Sequence, residues 1–200
     1  MCIRDSFNSD TGDYVDMTDL FERVREAGAR VALDTSGVPL DRLVTSGLVN
    51  LIKPNADELA NLVGRNLTTI GEALEAGREL NHGGIEVALV SLGADGALAI
   101  TQDSAAWGAA VAPQLVNTTG AGDATLAGFL ANSIRDESRG TVDAPELDLE
   151  HALSTAVSWG ALAVSLPTTL ITGLEDAPAA AVGAPAPDRV LLEETHLTKK

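Results

Sequence analysis

Leu48-Val49-Asn50-Leu51-Ile52-Lys53-Pro54-Asn55-Ala56-Asp57-Glu58-Leu59 changes character at its middle. Leu48 to Ile52 is an apolar run of strand length. A helix begins at Asn55, where Asn at the N-cap and Glu at the third helical position form a capping-box pattern. A strand feeding directly into a helix is half of a crossover unit, and the pattern recurs on both sides. Upstream, a helix over Asp16 to Ala27 places Leu20, Val24 and Ala27 on one face with Phe21 beside it, and Gly28 stops it. Arg30 to Leu33 comes next as a strand, ending in the polar turn Asp34-Thr35-Ser36-Gly37 before a helix over Leu40 to Ser46. Downstream come a helix over Ile70 to Asn81, a strand over Ile85 to Ser91, and weaker strands over Ala97 to Thr101 and Ala109 to Ala112. Helices over Gly120 to Ile134 and Leu149 to Leu166 complete the pattern. Strands alternating with helices predict an α/β fold, a mainly parallel sheet with helices on both faces. Ligands of such sheets gather at the carboxyl ends of strands. The polar turns after the three clear strands are therefore expected to share one edge, and the chemistry to lie there.

Composition narrows the function classes. With 200 residues the chain is expected to be one domain with a real core. The core is built mostly of Ala, Val and Leu, because aromatics make up only 3% against 45% hydrophobic residues overall. The formal net charge of −16 repels nucleic acid and anionic lipid, so neither is an expected partner. Phosphate groups would have to be held locally, by backbone N–H groups, helix N-termini, Mg²⁺ or a few placed cations. Cys2 is the only cysteine, which excludes an intramolecular disulfide and argues against a cysteine zinc site. No apolar run reaches the length of a membrane span, and the N-terminus has no secretory hydrophobic region, so a cytoplasmic location is expected. Residues 1–9 fit neither strand nor helix and are expected to be foreign to the fold. Ala177 to Asp188, rich in Ala, Pro and Gly, reads as a mobile linker, and Arg189 to Lys200 as a short docked element or a tail.

Three segments can carry chemistry, and each has a purely structural alternative. In Asn117-Thr118-Thr119-Gly120-Ala121-Gly122-Asp123 a small-residue loop enters an apolar helix, so unpaired N–H groups and the helix dipole make an anion site. Glycines at 120 and 122 let a phosphate approach the backbone. Asp123 stands beside that site, either as a reactive carboxylate or as a complement to the dipole worth about 0.3–1 kcal/mol. The run fits neither a dinucleotide fingerprint, which would need Gly at 125, nor a Walker loop, which needs Gly-Lys-Ser/Thr. Asn55 and Glu58 lie on one helical face; they orient Mg²⁺-bound water and phosphate oxygens, or only cap the helix, or both. Ser91-Leu92-Gly93-Ala94-Asp95-Gly96 either passes close under a nucleotide or is a turn centred on Asp95-Gly96. His82, His151 and His196 lack metal-ligand spacing, and Trp159 reads as core with an alternative at the border of an adenine pocket.

In this order and at these intervals the three segments resemble the C-terminal half of the ribokinase-like (PfkB) carbohydrate kinases, from about Thr11 to Asp176. The resemblance implies ATP and Mg²⁺ as cofactors and a phosphorylated sugar as acceptor. It assigns Gly120, Ala121 and Gly122 to an anion hole and Asp123 to the base. It also assigns Asn55 and Glu58 to Mg²⁺ through water, and Ser91, Leu92, Gly93, Ala94, Asp95 and Gly96, with Gly122 and Asp123, to the nucleotide. The wording I-K-P-N-x-x-E-L, S-L-G-A-D-G-A and V-N-T-x-G-A-G-D is most similar to the 1-phosphofructokinase and tagatose-6-phosphate kinase branch. That likeness implies conversion of fructose 1-phosphate to fructose 1,6-bisphosphate, with tagatose-6-phosphate kinase or a non-catalytic nucleotide-binding fragment as alternatives. Family members are about half as long again, and the portion carrying their first glycine-rich signature, lid strands and most sugar contacts has no counterpart here. Ser9-Asp10-Thr11-Gly12 matches the family's turn before this region only partly. The expected organisation is therefore a foreign leader (1–9), a C-terminal kinase part (10–176) and a linker with tail (177–200). An uncovered sheet edge would invite association, a homodimer included.

Overall fold

The computed structural model describes residues 2–3, 17–133, 147–192 and 195. Most of the 1–9 leader, the Ser9–Gly12 turn, Ile134 and His196 lie outside them. The chain divides into two compact units, where the sequence suggested one domain. The first comprises Met1–Gly93, Ile100–Ser104 and Ala186–Lys200; the second comprises Ala94–Ala99 and Ala105–Pro185.

In the first unit four short strands run parallel in the order β1 (Cys2–Ile3), β2 (Ala32–Leu33), β3 (Leu51–Ile52) and β4 (Val87–Ser91). Ala32 sits beside Leu51 and Leu51 beside Val87, so the register carries apolar residues across the sheet. Val87 to Val90 are all buried, as in a parallel strand covered on both faces. The pairing of Cys2–Ile3 corrects the expectation that residues 1–9 form no strand; two residues are too few to show a period. Between the strands lie α1 (Thr18–Glu26), α2 (Gly37–Val44), α3 (Ala56–Val63) and α4 (Ile70–His82). Phe21, fully buried, anchors α1, whereas Ala27 is exposed. Gly77 of α4 leaves room for Ile100, whose side chain would overlap a Cβ at that position.

The second unit contains β5 (Ala97–Ile100, its last residue in the first unit), β6 (Ala105–Ala110), β7 (Ala180–Gly183), α5 (Ala121–Ser133) and α6 (Leu149–Val164). β6 pairs antiparallel with β7, Trp107 beside Gly183 and Ala110 beside Ala180. The chain thus combines parallel and antiparallel strands. β6 begins earlier than the sequence suggests, because alternation among Ala, Trp and Gly is a weak signal; the buried residues are Ala106 and Gly108. α5 and α6 approach closely through glycines. A Cβ on Gly128 would lie 2.8 Å from the Thr155 carbonyl oxygen, and one on Gly160 would overlap Thr125 Oγ1.

The linker expectation for 177–188 is corrected by β7 and by the docking of the segment after it. Residues 187–192 return to the first unit, where Pro187 and Arg189 carbonyls accept from Gly71 and Ile70 at 2.9 Å each. Leu67 N–H donates to Thr195 Oγ1 at 2.7 Å. Ala, Pro and Gly here meet tight backbone pairing rather than flexibility.

Candidate active site

At the carboxyl edge of the first unit's strands the polar turns do come together. Lys53 Nζ lies 3.3 Å from Asp34 Oδ1, and both side chains are largely buried. Asn55 and Ser91 form a parallel bridge, with Ser91 N–H donating to the Pro54 carbonyl at 3.0 Å. The capping box is complete: Glu58 N–H donates to Asn55 Oδ1 and Asn55 N–H to Glu58 Oε2, both at 2.8 Å. Burial raises the Glu58 pKa, partly offset by the Asn55 N–H and the Lys53 charge, while Asp34 and Asp57 push further upward. Glu58 is thus a half-buried carboxylate whose charge the protein only partly compensates. The structural reading of Asn55 and Glu58 holds: Asn55 Oδ1 and Glu58 Oε2 both serve the cap.

Ser91 to Gly96 straddles the unit boundary: Ser91, Leu92 and Gly93 belong to the first unit, and Ala94, Asp95 and Gly96 to the second. Gly93–Asp95 form one 3₁₀ turn, and Gly96 comes next at φ +91°. The turn expected at Asp95-Gly96 is present, with Asp95 buried at 1% exposure.

In the second unit the loop before α5 is ordered by Thr119 N–H donating to Asn117 Oδ1 at 3.0 Å. Gly120 adopts φ +87°, a left-handed turn that favours glycine. A Cβ there would also press on the Thr169 side chain at 3.2 Å. Helical hydrogen bonding starts when Ala124 N–H donates to the Gly120 carbonyl at 2.9 Å. The N–H groups of residues 120–123 therefore precede the first intrahelical donor, although Ala121 N–H is engaged by the Thr118 carbonyl at 3.3 Å. Gly120, Asp123, Ala124, Trp159, Thr169 and Leu174 surround an open depression of about 430 Å³. Asp123 is exposed at its rim.

Sequence reasoning missed the wall formed by Thr169, Ile171, Thr172 and Leu174. The one signal for it was the Thr-rich run directly after the last strong helix. Trp159 lines the depression and is not fully buried, which corrects its reading as core. His82 and His151 are exposed on α4 and α6. Among the described residues no cluster of three or more His, Cys, Asp or Glu side chains is placed to hold a metal ion. Nor is any described helix long and apolar enough to cross a membrane.

The sequence profile of the pfkB family carbohydrate kinases matches residues 6–176. This chain belongs to that family. The PfkB assignment is consistent with its relatives. The chain is 35% identical over 181 residues to 1-phosphofructokinase from Haloferax volcanii, covering 90% of this chain and 51% of that protein. It is 36% identical over 146 residues to 1-phosphofructokinase from Bacillus subtilis, covering 71% and 45%. Escherichia coli phosphofructokinase-2 superposes with a TM-score of 0.67 at 27% identity, covering 84% of this chain and 51% of that structure. The PfkB chain thus has the ribokinase-like fold, and it spans about half the length of the curated relatives it matches.

Proposed function

We propose that this chain supplies the nucleotide-binding and base-bearing part of a sugar-phosphate kinase that moves the γ-phosphoryl group of ATP to a hydroxyl of fructose 1-phosphate, giving fructose 1,6-bisphosphate. The observation that carries the reading is Asp123, exposed in the first turn of α5 on the rim of a depression that begins at the left-handed Gly120 turn. Phosphoryl transfer through a loose transition state needs positioning and charge stabilisation more than covalent chemistry. Asp123 accepts the acceptor hydroxyl's proton as the oxygen attacks. The N–H groups of Gly120 to Gly122 and the α5 dipole face the charge on the transferring group, with Ala121 turning its N–H from the Thr118 carbonyl. One lost donor of this kind costs roughly 3–4 kcal/mol elsewhere. Asn55 and Glu58 would hold Mg²⁺ through water, and the metal would supply charge neutralisation to a phosphate. A desolvated carboxylate with incomplete compensation suits such a cation.

Two named 1-phosphofructokinases favour fructose 1-phosphate as acceptor. The share of their length that this chain spans favours a second reading, a unit that binds nucleotide without turning over sugar. Calorimetric titration with Mg·ATP and a fructose 1-phosphate turnover assay separate the two. For the kinase, Asp123→Asn lowers kcat by about 10²–10⁴-fold with ATP affinity retained, and Gly122→Asp loses ATP binding. ATP binding without sugar-dependent turnover selects the second reading. A folded chain that binds no ATP rejects both.

A further inference from the structure

We infer that Trp107 is a positioning residue for the nucleotide loop, an inference that rests on the nucleotide reading above. The Trp107 indole N–H donates to the main-chain carbonyl of Asp95 at 2.8 Å. Asp95 closes the 3₁₀ turn and is buried. The next residue, Gly96, lies flat on β6: a Cβ there would overlap the Gly108 carbonyl and approach Ala109 Cβ to 2.8 Å. All of these residues belong to the second unit. The loop backbone from Ala94 to Gly96 is thus fixed to β6 at two neighbouring points, by an indole hydrogen bond and by a glycine contact that admits no side chain. A part-buried indole N–H that donates to a loop carbonyl favours one direction of the adjacent peptide units, because rotating the carbonyl away gives up that hydrogen bond. Those peptide units are the ones proposed to pass under the nucleotide.

The test is calorimetric titration of the 200-residue chain and its Trp107→Phe variant with Mg·ATP, alongside their thermal midpoints. Phe keeps an aromatic ring and removes the donor together with the five-membered part of the indole. Affinity is expected to fall about three- to ten-fold as the loop loses its fixed direction, and the midpoint to drop by no more than the loss of one hydrogen bond gives. Equal affinity in both chains overturns the role of Trp107 and leaves the nucleotide reading standing. Failure of the parent chain to bind removes the nucleotide reading and this inference with it. If the variant does not fold, 5-fluorotryptophan in the parent chain gives the answer. The Trp107 fluorine resonance, assigned with Trp159→Phe, is expected to shift along the binding curve. A stationary resonance during measured binding overturns the inference.

Discussion

Gly120 shows how one position can serve backbone and ligand together. Its φ of +87° and the nearness of Thr169 make any side chain there strained and crowded. Gly120→Ala is expected to destabilise the chain by about 1–2 kcal/mol, measured by urea unfolding, and to weaken Mg·ATP binding in the same variant. An unchanged midpoint and affinity would show that the turn does not require glycine. The sequence made the loop and the start of α5 legible, because a small-residue run with Gly at 120 and 122 before an apolar stretch marks a turn into a helix. It did not reveal Thr169, since nothing local to a Thr-rich run says which distant glycine it will touch. Asn55 and Glu58 were legible twice, as a cap and as a ligand edge, and the cap is what the geometry displays.

At the scale of elements, α5 is placed by what α6 lacks. Thr125 Oγ1 donates to the Ala121 carbonyl at 2.8 Å, and Gly160 of α6 leaves space for that hydroxyl. Gly160→Ala should cost about 1–3 kcal/mol, and pairing it with Thr125→Ala should recover part of the loss. Additive losses in the double variant would contradict the contact. The start of α4 makes a second case. Thr69 Oγ1 accepts from Glu72 N–H at 3.1 Å, and Glu72 Oε2 accepts from Thr68 N–H and Oγ1–H at 2.6 and 2.8 Å. Thr69→Ala should therefore cost about 1 kcal/mol. The Thr68 hydrogen bonds hold the Glu72 pKa below its usual 4.5. A depressed carboxylate contributes stability that is present above the unfolded value and is lost as pH falls through the folded one. The midpoint difference between the parent chain and Glu72→Gln should shrink as pH drops below about 4.5; a constant difference would rule the linkage out. Helices with a strong apolar face and a cap were readable from sequence. β6 was misplaced and β7 missed, because strands made of Ala and Gly carry almost no alternation signal and depend on a partner remote in sequence.

The whole molecule carries a charge of −16, so self-repulsion opposes its compact state. Raising KCl from about 0.1 M to about 1 M shortens the screening length from roughly 10 Å to 3 Å, and the thermal midpoint is expected to rise. A midpoint that falls would mean that attractive ion pairs outweigh the net repulsion. The terminal segment tests the architecture at the same scale. Deleting residues 186–200 removes the carbonyl partners of Ile70 and Gly71 and the hydroxyl partner of Leu67. Each lost hydrogen bond costs about 0.5–1.5 kcal/mol, so the truncated chain should unfold at lower temperature, whereas a detached tail could be lost without effect. Composition left residues 189–200 open between a short docked element and a tail, and could not show that the backbone of 187–189 would be used. The division into two units was likewise hidden, because the chain passes between them several times, once within the Ser91–Gly96 loop and once inside β5.

Trp159 stands on the wall of the same depression as Asp123. Its consequence is optical. The chain has two tryptophans, and one of them borders the space that any occupant of the depression must enter. An occupant changes the polarity around that indole, so its ultraviolet emission reports ligation directly, with neither a label nor a coupled enzyme.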